Sequence, residues 1–196
     1  MINNQNMNVP STLYLHLNED DYNCLIYRNE LHLSYFPEPN PIKLIFSNKK
    51  NKVELSLGTP NNAIVLSTYL SDISNVGNMI VTIVDVVKFL NIISSKLNEM
   101  GYKYALIGDN CLYNDKVIEC SVNDEIDIQK QLGLSNNGVD MNVMNKFIFE
   151  NCDNDLCFSE LKSKKQEQEY RIVWLTDKVI NTNIKIVSQD FISCVK

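Results

Sequence analysis

Glycine and histidine are scarce in this chain. Only six of the 196 residues are glycine, and none stands in a G-x-G-x-x-G or G-x-x-x-x-G-K-[ST] pattern. A Rossmann dinucleotide site and a P-loop are therefore not expected, because both need glycine where backbone approaches phosphate. The patterns G-x-S-x-G and H-E-x-x-H are also absent, which removes the local signatures of an esterase nucleophile and a zincin helix. The two histidines are His16 and His32, and six cysteines stand at 24, 111, 120, 152, 157 and 194. The closest cysteine pair, Cys152 and Cys157, has no second ligand pair beyond those histidines, so no metal site is expected. Carboxylate chemistry is the main enzymatic option left.

A long apolar run is missing too. The longest, Met79 to Ile93, is interrupted by Thr82, Asp85, Lys88 and Asn91, so no membrane span is expected. The segment Met1 to Pro10 is Asn-rich and polar and reads as no signal peptide. A cytoplasmic location with reduced thiols follows as an expectation. The net charge of -6 gives no broad attraction to nucleic acid or anionic membrane. One local basic patch, Lys162-Ser163-Lys164-Lys165, is the exception; Lys49-Lys50-Asn51-Lys52 reads as a hairpin turn. With 44% hydrophobic and 21% charged residues the chain is globular in composition. Its length suggests a flexible tail over 1–10 and a single domain over 11–196.

Periodicity supplies the elements. Leu13, Leu15 and Leu17 alternate with Tyr14 and His16, a strand. Asn18 caps a helix starting at Glu19 with acidic residues in its first turn. Leu31 to Tyr35 is a second strand, ended by the Pro-rich run Phe36 to Pro41. Ile42 to Ser47, Val53 to Leu57 and Ala63 to Tyr69 suggest a meander, and Met79 to Ile83 another strand. The clearest helix starts at Asp85, with Val86, Leu90, Ile93, Leu97 and Met100 at helical spacing, and stops at Gly101. Tyr104 to Ile107, Lys116 to Cys120, Tyr170 to Leu175 and Ile184 to Val187 read as strands; Asp124 to Gln131 and Val143 to Asn151 read as short helices. The expected class is α+β, mainly antiparallel, with one long and several short helices.

One late segment concentrates charge. Strand parity over Glu167-Gln168-Glu169-Tyr170-Arg171 puts Glu167, Glu169 and Arg171 on one face and Tyr170, Ile172 and Trp174 on the apolar other. Two carboxylates and a guanidinium on a partly buried face are costly unless paired or used. Tyr14 with His16, and His32 with Ser34, are polar faces of the two N-terminal strands. The same features also fit a structural reading, in which Arg171 pairs with Glu169 and each histidine is a hydrogen-bonded rim residue.

The order Leu13-Tyr14-Leu15-His16, helix, Asn29-Glu30-Leu31-His32-Leu33-Ser34, loop with Asn40-Pro41, and late Glu-x-Glu-aromatic-Arg resembles ADP-ribosyltransferase-like proteins of bacterial toxin–antitoxin and phage-defence loci. The likeness covers about 40 residues in three pieces. It implies an ADP-ribosyltransferase-like fold with NAD as substrate and no metal. His16 would contact the adenosine ribose, and Tyr14 or Tyr35 would pack on the nicotinamide. Ser34 would support the site, Glu169 would hold the nicotinamide-ribose 2′-OH, and Glu167 would orient or deprotonate the acceptor. Arg28 would replace the family's first-strand arginine, and Arg171 belongs to the same cofactor set. Ser34 is followed by Tyr35 where the family has a Thr-Ser run.

The implied function is a toxin or defence effector that modifies RNA, DNA or protein, with an antitoxin as a further partner and no membrane. Two other readings stand beside it. One is a non-enzymatic defence or interaction protein; the other is a carboxylate nuclease using Asp109, Asp115 and Asp124, which lack a recognisable spacing.

Overall fold

The computed structural model describes residues 9–35, 41–58, 61–72, 79–135, 138–152 and 155–196. In chain order the N-terminal half forms β1 (Leu13–Leu17), α1 (Glu19–Arg28), β2 (Glu30–Tyr35), β3 (Ile42–Ser47), β4 (Lys52–Leu57), β5 (Ala63–Tyr69), β6 (Met79–Ile83) and α2 (Val86–Glu99). The remainder forms β7 (Tyr104–Asn110), β8 (Leu112–Tyr113), β9 (Val117–Ser121), α3 (Ile128–Gln131), β10 (Leu134–Ser135), β11 (Gly138–Val139), α4 (Met141–Cys152), α5 (Asp155–Phe158), β12 (Ser159–Glu160), β13 (Glu169–Thr176) and β14 (Ile184–Val187). The sheets are mostly antiparallel, as expected, and several helices accompany them. Among the described residues no helix is long and apolar enough to cross a membrane.

The described residues group into two compact units. The first comprises the described residues of Met1–Pro37, Pro60–Cys111 and Lys164–Lys196, the second those of Glu38–Thr59 and Leu112–Ser163. The tail expected over 1–10 lies, up to residue 8, outside the described residues, as does the Pro-rich loop from 36 to 40.

The first unit is a seven-stranded sheet with α2 on its apolar side. Leu13, Leu15, Ile64, Leu66, Tyr170, Ile172 and Trp174 lie in one buried cluster with Phe89, Leu90, Ile93 and Leu97 of α2. Those α2 positions repeat at helical spacing, so one stripe is buried, each side chain contributing roughly 1.5–3 kcal/mol. Asp85 caps α2 by accepting from the Lys88 amide at 3.0 Å, and Gly101 follows its end at φ +81°. Trp174 Nε1 donates to Ser94 Oγ at 3.0 Å, tying the sheet to the helix.

The second unit packs α3 and α4 on a three-stranded sheet. There β3 pairs antiparallel with β4 and parallel with β9. Ile42, Leu44, Phe46, Ile118, Ile128, Leu132 and Phe147 share its core. The helix expected over Asp124–Gln131 is one turn, Ile128–Gln131, capped by Asp127, because the preceding residues form turns instead.

Two expectations are corrected. The β3–β4–β5 meander does not form: β3 and β4 are a hairpin, while β5 pairs with β1, β2 and β13. Nor does the late strand begin at Glu167. Gln168 sits at φ +51°, a left-handed backbone that no strand continues through. Glu167 instead ends a 3-10 helix over Lys162–Glu167.

Candidate functional site

The first unit's polar face is built around β5. One edge of β5 is paired along its length, Ala63 to Tyr69, by β13. Two strands share its other edge. Tyr14 of β1 pairs with Tyr69, and Ser34 and Tyr35 of β2 pair with Val65 and Ile64. Past Tyr14, β1 continues its pairing with β6, while Leu31–Leu33 of β2 pair with β14. Residues 66–68 therefore have no strand partner on this edge among the described residues. A cavity of about 170 Å³ occupies the resulting gap, lined by His16, Asp21, His32, Ser34, Ser67 and Tyr69.

Residues directly opposite in antiparallel strands project to the same face. Tyr14, Tyr69 and Glu169 are such a row across β1, β5 and β13, and Ser67, Arg171 and Asp109 form a second across β5, β13 and β7. The rows are linked by hydrogen bonds. Ser67 Oγ donates to Glu169 Oε1 at 2.6 Å. Arg171 Nε donates to Oε1 at 2.9 Å and Nη2 to Oε2 at 3.0 Å, a two-pronged grip on a carboxylate only 4% exposed. Thr68 Oγ1 donates to the Tyr170 carbonyl at 2.5 Å and locks the two strands on the opposite face.

Burial, then the Glu169 and Glu167 carboxylates, pushes the Tyr69 phenol well above its ordinary pKa. It stays protonated at neutral pH and keeps its hydrogen-bond donor. The His16 ring stacks on Tyr69 with centroids 4.2 Å apart. His16 Nε2 lies 3.2 Å from the Ser71 carbonyl, which only accepts, so the proton sits on Nε2 and Nδ1 is an acceptor. Nδ1 and the Ser71 hydroxyl are both buried with no hydrogen-bond partner among the described residues. An orphaned buried polar atom costs about 1–3 kcal/mol, so a ligand donor reaching Nδ1 recovers that energy.

Not every expected residue arrives here. His16 and Ser34 line the cavity, and Glu169 and Arg171 stand beside it through Ser67. Tyr14 shares the face. Tyr35 does not: it packs against the core cluster on the other side, as its parity with Leu31 and Leu33 requires. Arg28 lies in the last turn of α1, where Nη2 approaches Cys24 Sγ at 2.6 Å, and does not line the cavity. Glu167 is off the strand face, yet its carboxylate still acts on Tyr69. Of the basic patch, Lys162 pairs with Asp115 at 3.0 Å.

Sequence reasoning missed Ser67, Tyr69 and Asp21. Ser67 closes the apolar run Ile64-Val65-Leu66, where no polar alternation marks it as a site residue. In the sequence Asp21 is marked only as one of the first-turn acids of a helix.

No family model, curated protein or solved structure matches the chain.

Among the described residues one trio could offer ligands to a metal, Cys24, Glu30 and His32, whose ligand atoms lie within 4.8 Å of one another. Each is already engaged: Cys24 with Arg28, Glu30 with Lys185 at 2.8 Å, and His32 with Asp21 at 2.9 Å. Two of these partners are cations, which oppose a further positive charge.

Proposed function

We propose that the protein is an NAD-dependent ADP-ribosyltransferase, a toxin or phage-defence effector that modifies RNA, DNA or protein. The observation that carries this reading is the convergence on Glu169. A late-strand carboxylate, a β5 hydroxyl and a first-strand histidine, far apart in sequence, share one sheet face beside a cavity. Cleaving the nicotinamide–ribose bond builds oxocarbenium character at C1′, much as in glycoside hydrolysis. A carboxylate held rigidly by Arg171 and Ser67 needs no reorganisation to stabilise that charge and to accept from the ribose 2′-OH. Ser67 takes the supporting role that the resemblance assigns to Ser34. His16 Nδ1 is suited to a ribose hydroxyl, and the 170 Å³ cavity suits a ring-sized group such as nicotinamide. A cytoplasmic location and an antitoxin partner belong to the same reading.

The test is incubation of the purified chain with adenine-labelled NAD and a lysate split into protein and nucleic-acid fractions. Label transfer to one fraction is expected. Absence of both transfer and nicotinamide release would overturn the reading.

A second reading has its own observation. Both Glu169 oxygens bond Arg171 inside the sheet, as a purely structural pair would. The protein would then be a non-enzymatic defence or interaction protein. Millimolar NAD separates the two, because a ligand that binds the native state raises its Tm.

A further inference from the structure

With Glu167 displaced from the strand, the proton acceptor for the attacking group is unassigned. We propose that His32 is that acceptor and that Asp21 is its positioning residue; the inference rests on the NAD reading above. His32 and Asp21 line the same cavity as His16 and Ser67. His32 Nδ1 is 2.9 Å from Asp21 Oδ1, and a carboxylate at neutral pH only accepts, so Nδ1 carries the proton and Nε2 a lone pair. Asp21 is itself held: its Oδ2 accepts from Asn18 Nδ2 at 2.8 Å, and its amide donates to Asn18 Oδ1 at 2.8 Å. The N-cap of α1 thus fixes the carboxylate that fixes the ring.

Register places His32 at the reacting face. Ser34 pairs with Val65 and Tyr35 with Ile64; the same antiparallel register carried two residues back sets His32 level with Ser67. The β1 register, Tyr14 with Tyr69, sets His16 level with Ser67 as well. Ser67 bonds Glu169, so the gap brings the carboxylate's support and both histidines to one level.

The step balances with no further reactant. The C1′–N bond of the nicotinamide riboside breaks, and its electron pair leaves on nicotinamide nitrogen. An acceptor O–H attacks C1′, the new C1′–O bond forms, and its proton passes to His32 Nε2. The imidazolium is offset by Asp21 and returns the proton to solvent, to which the His32 side chain is 37% exposed. Of the other groups near the ring, Glu30 on its own strand pairs at 2.8 Å with Lys185, its register partner on β14, and the Cys24 thiol on α1 is in contact with the Arg28 guanidinium. Asp21 is the charged group that bonds the ring itself.

The experiment measures nicotinamide release from NAD, with water as acceptor, across pH for the full chain, His32→Gln, Asp21→Asn and Glu169→Gln, with NAD affinity measured in parallel. His32→Gln is expected to keep NAD affinity within about twofold while kcat falls by on the order of 10² or more, and to lose the acid limb of the kcat profile. Asp21→Asn is expected to fall in the same direction by less. Wild-type kcat and pH profile in His32→Gln would overturn the His32 assignment and leave the NAD reading standing. Wild-type kcat in Glu169→Gln, or a native chain that neither binds nor consumes NAD, would overturn the NAD reading and with it this inference.

Discussion

Arg171 and Glu169, two residues apart on β13 and both buried, are joined by two parallel hydrogen bonds of 2.9 and 3.0 Å. Alternation along a strand puts them on one face, and their shared burial makes each the other's counter-charge.

That pairing makes the single variants costly. Glu169→Gln or Arg171→Met leaves one buried charge uncompensated, an expected loss of about 3–5 kcal/mol. The double variant Glu169→Leu/Arg171→Met is expected to recover most of it, since an apolar pair of similar volume is often neutral. Urea unfolding of the four proteins reads this directly. Any loss of NAD turnover in Glu169→Gln must therefore be scored against its folded fraction.

Ser67→Ala removes a hydroxyl that donates to the Glu169 carboxylate. A hydrogen bond to a charged group contributes about 1.5–3 kcal/mol, so the midpoint of chemical unfolding is expected to fall accordingly. Ser34→Ala, on the cavity wall but without that bond, is expected to stay within about 0.5 kcal/mol of the native chain.

His16→Phe keeps a ring for Tyr69 to stack on and deletes the orphaned Nδ1. The Nε2 bond to the Ser71 carbonyl is lost as well, so a stability change within about 1 kcal/mol is expected, together with loss of the NAD-induced shift in Tm. A variant that still responds fully to NAD would show that His16 makes no ligand contact.

The second unit offers a pH test. Lys43 at 2.6 Å and Lys52 at 2.9 Å hold the exposed Glu54 carboxyl down to about 2. A depressed carboxylate pKa contributes stability above the unfolded value of about 4.3, lost as pH falls through about 2. A carboxyl NMR titration of Glu54 is expected to midpoint near 2 in the native chain and to move upward in Lys43→Ala.

Gly133→Ala tests a tight turn. Gly133 stands at φ +66°, and a Cβ there would lie 2.8 Å from the Asp140 carbonyl oxygen. Strain and clash act together, so destabilisation beyond about 1 kcal/mol is expected by thermal unfolding.

Local chemistry carried the elements. Asn18 is the N-cap expected of it, the helix expected from Asp85 begins one residue later with Asp85 as its cap, Leu13 with Leu15 and Tyr170 with Trp174 face the core as their alternation required, and Ala63–Tyr69 and Ile184–Val187 have the expected bounds. These signals survive because side-chain period and capping depend on neighbours a few residues away. One failure was also local in kind: Gln168 adopts a left-handed backbone that no composition cue marks, and it cut Glu167 from the strand.

The site was legible only as a set of separate polar faces. Sequence alone determined that His16, Ser34, Glu169 and Arg171 stand on the polar sides of their strands, because parity depends on nothing else. Tertiary structure decided that β5 lies between β13 and the diverging β1 and β2, so that Ser67 meets Glu169 102 residues away and His32 meets Asp21 at the wall of a cavity. Strand order and register come from which apolar faces bury together over long sequence distances, and no local pattern encodes them.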